Sequence, residues 1–348
     1  MEIVAKRTGP NVSQPPDKGG KPTLRTVSRL SGFAVTTVSR ALNDAPDIGD
    51  ETKRIVRQVA KEIGYVPNRA GVRLRTGRTN VISLVLATHY EIMNHTAQLI
   101  SSIAEGLRGT RFHLNITPYF PDQDPMEPVA YLVETRSADA ILLNQTTPED
   151  TRVKYLLERG VPFATHGRTR LGAEHSYFDF DNESFGRMAV RRLAALGRRS
   201  IVLVPGPPNQ TYGGHMIHGA RHEAGKCGVD LHLETTVSSD NPSWEVKESV
   251  ARWLAEKPEV DAVITASSTA AIAAVTAIED GGRSVEQEVR VLTKEAVPFL
   301  RVIRKDIIVI PENVYRAGVF LAQAAIQAIN NPDAPPMQGL EELEGAAR

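Results

Sequence analysis

The sequence predicts a small all-α head followed by a larger α/β body built on parallel sheets. Three observations carry that expectation. Positive charge is concentrated early: residues 21–80 hold 12 Lys or Arg against 5 acids, while residues 81–348 are net acidic and the whole chain sums to zero. Between residues 21 and 66, apolar residues recur three and four apart in short runs broken by glycine or proline, which is the period of helices. From Val81 onward, short apolar runs alternate with helical stretches, the signature of parallel strands covered by helices.

The length of 348 residues allows two or three domains. With 41% apolar and 24% charged residues, the chain is neither disordered nor fibrous outside its ends. Cys227 is the sole cysteine, so an internal disulfide or a multi-cysteine metal site is excluded and a reducing compartment is expected. The longest apolar runs, residues 263–266 and 270–275, fall far short of the roughly 20 residues that a membrane span needs. Residues 1–20 carry Pro, Gly and charge without the apolar core of a signal peptide, and are read as a disordered leader of a protein in a bacterial-type cytoplasm. A basic head on an acidic body implies that the head meets a polyanion.

Three helices are expected in residues 21–66. The first covers residues 23–31, with Thr23 as N-cap and Leu24, Val27 and Leu30 on one side, and ends at Gly32. The second, residues 35–43, buries Val38, Ala41 and Leu42. The third starts near Gly49, carries Asp50 and Glu51 where the helix dipole favours acids, buries Ile55, Val59 and Ile63, and closes at Gly64.

Two helices joined by a glycine turn and braced by a third make a helix-turn-helix, whose second helix can enter the major groove of DNA. Burial of Val38, Ala41 and Leu42 leaves Val35, Thr36, Thr37, Ser39 and Arg40 outside, with Thr36 and Arg40 adjacent because they are four apart. Arginine can bind both acceptors of a guanine edge, and valine or threonine can meet a thymine methyl. The hydroxyls of Thr37 and Ser39 suit phosphate oxygens, which position the helix without reading sequence.

"TLRTVSRLSGFAVTTVSRALND", followed by "ETKRIVRQVAKEIGYVPNRAGVRLRTGRT", resembles the head and hinge of the lac repressor (LacI/GalR) family of transcription regulators. The resemblance places base contacts on Leu24, Val35, Thr36 and Arg40, and phosphate contacts on Thr23, Thr37, Ser39, Asn43, Tyr65 and Asn68. It departs at Ala34, where the family usually has a serine, so a side-chain cap is missing from the second helix at a cost of about 0.5–2 kcal/mol. Residues 67–79 can form only two helical turns, weakened by Gly71, so they are expected to order only when docked on DNA. In the family two such hinges pair in the minor groove around a wedging leucine, here Leu74.

The apolar runs "VISLVLA", "HLNITPYF", "AILLNQ", "PFATHG", "SIVLVPG", "DAVITAS", "VRVLT" and "DIIVIPE" are read as strands of the body, residues 80–340. Through about residue 330 the resemblance continues as the family's two-lobed, periplasmic-binding-protein-like domain, which binds an effector and forms the dimer. Ligands of parallel sheets bind beyond the carboxyl ends of the strands. Mapping the family's contacts there gives His89, Asn94, His95, Asn144, Gln145, His166, Arg168, His215, Ser267 with Ser268, Glu295 and Glu312, while Asp181 is read as a helix cap. Met216 stands where relatives carry an arginine, and Ser267-Ser268 where they carry Asn-Asp, so the ligand is left open, with a sugar, polyol or glycoside favoured by family frequency.

The expected function is a ligand-responsive regulator, a repressor by preference, binding a near-palindromic operator as a homodimer. No cofactor, metal or membrane is expected. Two alternatives are kept. His215, His218 and His222, spaced three and four, could bind Zn²⁺ in a metal-responsive regulator. A sugar-metabolising enzyme is the other, although no Gly-x-Ser-x-Gly, phosphate loop or dinucleotide-binding glycine motif is present. A transport protein would share the body but not the head.

Overall fold

The computed structural model describes residues 21–66, 71, 73, 77–88, 93–120 and 122–343, without the side chains of Met93 and Asn94. The leader and the expected contacts Asn68, Leu74 and His89 lie outside the described residues, as does the side chain of Asn94. The chain divides into two compact units, Met1–Thr79 and Asn80–Arg348.

The first unit contains α1 (Leu24–Ser31), α2 (Val35–Leu42) and α3 (Asp50–Glu62). Thr23 caps α1 reciprocally: its hydroxyl accepts from Thr26 N at 3.3 Å, and Thr26 Oγ1 accepts from Thr23 N at 3.2 Å. Gly32 turns the chain at φ 73°, and Ser28 Oγ donates to the Phe33 carbonyl at 2.6 Å, closing the turn into α2. No side chain caps α2 at Ala34. Val27, Val38, Ala41, Val56 and Ala60 form the buried centre. Three expectations change here, the first being that Leu42 is only half-buried. The seam of α3 runs through Val56 and Ala60, whose smaller side chains allow close approach, while Ile55, Val59 and Ile63 are only half-buried. Ser39 faces this interior at 7% exposure instead of lying on the outer surface.

In the second unit, β1 (Val81–Ala87), β2 (His113–Tyr119), β3 (Ala140–Leu143), β4 (Phe163–His166), β5 (Ser176–Phe180) and β11 (Gln338–Glu341) build one sheet in the order β11-β5-β4-β3-β1-β2. A second sheet has the order β10-β9-β8-β6-β7, from β6 (Ser200–Val204), β7 (Asp230–Leu233), β8 (Ala262–Thr265), β9 (Arg290–Glu295) and β10 (Ile307–Pro311). All strand pairs are parallel. Central strands such as β3 and β8 are buried throughout, which explains their unbroken apolar runs. Strands β5, β7 and β11 are additions to the sequence reading, and β11 extends past residue 340.

Helices cover both faces of each sheet. On the first sheet, α4 (Met93–Gly106) and α12 (Val314–Asn330) take one face, while α5 (Met126–Glu134) and α6 (Thr151–Glu158) take the other. On the second, α7 (Asn182–Ala195) and α8 (Thr211–Cys227) oppose α9 (Ser243–Glu256) and α10 (Ser268–Asp280). The short α11 (Leu300–Ile303) completes this lobe.

The chain passes between the lobes three times. It leaves β5 for α7 through Asp181, returns from β10 to α12 through Glu312 and Asn313, and after β11 lays Leu343 against the second lobe's core. Glu341 ties these segments together: its carbonyl accepts from Asp181 N at 3.1 Å, and its carboxylate accepts from Asn313 N at 2.9 and 3.1 Å. Asp181 caps α7, accepting from Ser184 N at 2.9 Å.

Candidate functional site

On the head, the outer side of α2 presents Val35, Thr36 and Arg40 to solvent, with Thr37 half-buried. Arg40 is exposed and forms an ion pair with Asp47 at 2.5 Å. Asn43 donates through Nδ2 to the Ser39 carbonyl at 2.6 Å, holding the end of α2. Leu24 and Tyr65 are half-buried against the head core. Asp44 pairs with Lys53 at 3.1 Å and Arg57 at 2.9 Å, and the hydrogen bond from Lys53, then those from Arg57, hold its carboxyl below the usual range. The surface is therefore basic and hydroxylated, with Ser39 withdrawn from it.

In the body, a cleft opens between the lobes at the carboxyl ends of both sheets. It is lined by Asn144, Gln145 and Thr146 after β3, His166 and Gly167 after β4, and Asp179, Phe180 and Asn182 where β5 passes into α7. The second lobe adds Tyr212, Asp240, Ala266, Ser267, Ser268, Thr269, Lys294, Ala296 and Val297. His95 on α4 and Glu312 on the β10 to α12 crossing complete it. Thr211 N donates to the Thr146 carbonyl at 2.9 Å, bridging the lobes.

Lys294, Glu312 and Asp179 in the cleft are ion-paired, while Asp240 accepts from a phenol. Lys294 Nζ lies 3.0 Å from Glu312 Oε2 and 3.1 Å from Asn182 Oδ1, about midway between the rings of Phe180 and Tyr212, at 5.0 and 5.1 Å. Arg168 Nε reaches Asp179 Oδ2 at 2.7 Å, and Tyr212 donates to Asp240 at 2.8 Å. Burial alone would raise the Glu312 carboxyl, but the Lys294 charge, then the hydrogen bond from His95, hold it far below the usual range. Burial, then the neighbouring His95, pushes His166 down to about 3, so its ring is neutral. Burial raises Asp179 despite Arg168, and burial followed by Asp240 raises the Tyr212 phenol well above its ordinary value. The arrangement offers planar amides, hydroxyls and two aromatic rings.

Of the sequence-derived candidates, His95, Asn144, Gln145, His166, Ser267, Ser268 and Glu312 meet in this cleft. Arg168 stands behind it, braced on Asp179. His215 is half-buried with Nδ1 unpartnered, and its ring is held low by burial and then by Arg168 and Arg170. Glu295 does not reach the cleft; it is buried and accepts from Phe299 N at 3.1 Å and Leu300 N at 2.7 Å, anchoring α11. Neighbouring strand residues point to opposite faces, so Lys294 takes the place assigned to Glu295. The histidine trio on α8 does not converge either. His218 is exposed beside Glu183, His222 is exposed, and His215 lies two turns, about 10 Å, from His222 along the axis.

The comparisons with known proteins fit this architecture. Residues 23–68 match the model for bacterial regulatory proteins of the lacI family, and residues 130–299 match a periplasmic binding protein domain. The HTH-type transcriptional regulator CelR of Thermobifida fusca is 31% identical over 281 residues, covering 78% of this chain and 81% of CelR. The chain belongs to the LacI family of bacterial regulatory proteins. LacI-family proteins are transcriptional regulators and not enzymes. The solved CelR–cellobiose complex is 25% identical with a TM-score of 0.66, covering 92% of this chain and 96% of that one. The lac repressor dimer bound to operator and the anti-inducer ONPF is 18% identical with a TM-score of 0.77, covering 92% and 96%, a likeness of fold. Among the described residues of this LacI-family chain, no helix is long and apolar enough to cross a membrane.

Proposed function

We propose that this LacI-family protein is a dimeric repressor that reads a near-palindromic operator and is controlled by a neutral saccharide or polyol. The observation that carries the choice of ligand is the cleft's composition. Its strongest charges are already matched, Lys294 by Glu312 and Arg168 by Asp179, so a neutral ligand enters without stranding an ion. Asn144, Gln145, Asn182, Ser267 and Ser268 supply hydrogen-bonding groups, and the half-buried Tyr212 supplies an aromatic ring at the cleft wall. The likeness to the cellobiose complex of CelR favours the same class.

Support for reading DNA comes from the exposed side of α2. Arg40 would bind a guanine edge, Val35 and Thr36 would meet neighbouring bases, and Leu24 would add an apolar contact. Thr23, Thr37, Asn43 and Tyr65 would position the head on phosphates, with Asn68 and Leu74 acting from the hinge. Ligand control follows from the three crossings between the lobes, because closure of the cleft moves segments on which Glu312 and Asp181 lie. A ligand can shift this equilibrium only by binding one arrangement better than the other. A thermal-shift screen against mono-, di- and oligosaccharides and polyols tests the reading. At least one compound is expected to raise the melting temperature of the wild type and not of Asn144→Ala; no stabilising compound, or equal stabilisation of both, overturns it.

A further inference from the structure

We infer that His95, His166 and Glu312 form a binding site for a zinc-class divalent ion within the cleft, with one coordination position open to the effector. The three side chains come from separate elements, α4, the end of β4 and the β10 to α12 crossing. Their candidate ligand atoms nevertheless all lie within 4.8 Å of one another, and they are the one such group among the described residues. Two imidazoles and a carboxylate are a donor set that Zn²⁺ accepts with a fourth position left for an outside oxygen.

One measured edge of this cluster has the spacing that an ion requires. His95 Nε2 is 3.5 Å from Glu312 Oε1, long for a charge-assisted hydrogen bond. Tetrahedral bonds of about 2.0–2.2 Å place neighbouring ligand atoms about 3.3–3.6 Å apart, so this edge already has the separation that an ion requires. The rings of His95 and His166 lie 5.3 Å apart, tilted by 32°, a separation that two imidazoles on one ion would have. The carboxylate is divided between two partners: Oε1 faces His95, while Oε2 is held by Lys294 at 3.0 Å. The Lys294 charge, held beside Oε2, repels an ion at Oε1 and weakens its hold.

An ion here would fasten histidines of the first lobe to a residue on the inter-lobe crossing. Its open position would take a hydroxyl oxygen of the effector. That last consequence rests on the effector reading given above; binding of the ion does not.

The test is titration of the full-length, chelator-stripped protein with zinc chloride by competition calorimetry, with Co²⁺ absorption as a second readout. One ion per chain is expected, with affinity weakened at least about tenfold in His166→Ala and Glu312→Gln and unchanged in a His218→Ala, His222→Ala double variant. Lys294→Met is expected to tighten binding by about tenfold or more, a gain that a misfolded protein could not produce. Absence of binding, binding indifferent to His166→Ala, or binding lost only with His218 and His222 would overturn the assignment. A protein that answers to a saccharide at its operator but takes no zinc sinks this site alone. Zinc binding without any saccharide response sinks the saccharide reading alone.

Discussion

Arg40 is exposed on α2 and rests on Asp47, an ion pair worth little in water and readily exchanged for a nucleic-acid acceptor. Arg40→Ala is expected to lower specific operator binding by about 1–3 kcal/mol and to relax one operator position. Arg25, exposed on α1, is the contrast: Arg25→Ala is expected to weaken all sequences alike. Fluorescence anisotropy on a set of single-base operator variants measures both, and a uniform loss for Arg40→Ala would remove its base-reading role. At this scale the sequence was most legible where a residue directly follows an apolar run, as Asn144, Gln145, His166 and Ser267 do. Lys294 and Asp179 were hidden inside strands. The decision between Lys294 and Glu295 turns on which face of β9 meets the cleft, and that is set by the sheet's position and not by local pattern. Ser39 misled for a related reason: a small hydroxyl at a helix-packing position is sterically equivalent to alanine, so polarity did not report its burial.

At the scale of elements, the packing of α7 on α8 depends on two glycines. A Cβ on Gly219 would stand 2.0 Å from the Glu183 carbonyl oxygen, and one on Gly186 would stand 2.3 Å from that of Met216. Gly219→Ala is therefore expected to cost about 1–3 kcal/mol or more by forcing the helices apart. A lowered urea midpoint at unchanged slope would report it, and an unchanged midpoint would contradict the close approach. Glu234, 4% exposed after β7, ties its loop to α9 through Thr236, Ser249 and Trp253. Burial would raise its carboxyl, but those hydrogen bonds hold it at about 2 against an ordinary 4.5. The folded state keeps a charge that the unfolded chain gives up, so the stabilisation is complete above pH 4.5 and drains away as the pH falls to about 2. In thermal melts between about pH 6 and about pH 3, the wild type is expected to lose more than Glu234→Gln; equal losses would contradict this role. Long buried strands were legible because they are apolar throughout. Strands β5, β7 and β11 were not, since β7 and β11 are short edge strands without a buried apolar run, and the FDF of β5 carries an aspartate turned into the cleft.

On the scale of the whole molecule, charge and connectivity divide the work. The basic segment is confined to the head and hinge, and the acidic body supplies a parallel-sheet pair whose lobes are crossed three times. The basic head and the parallel-sheet body were legible from charge distribution and strand spacing, and the two lobes from the family resemblance. The crossings were not, because they depend on which sheet each strand joins. Glu312 lies on one of these crossings and also lines the cleft. The most direct measurement is the affinity of the full-length protein for its operator, against a scrambled duplex of equal length, with and without the saccharide that best stabilises it. The expected result is a clear preference for the operator that the saccharide changes, with scrambled DNA bound weakly in both cases. Equal affinity for the two duplexes, or an operator affinity untouched by a saccharide that demonstrably binds, would contradict it.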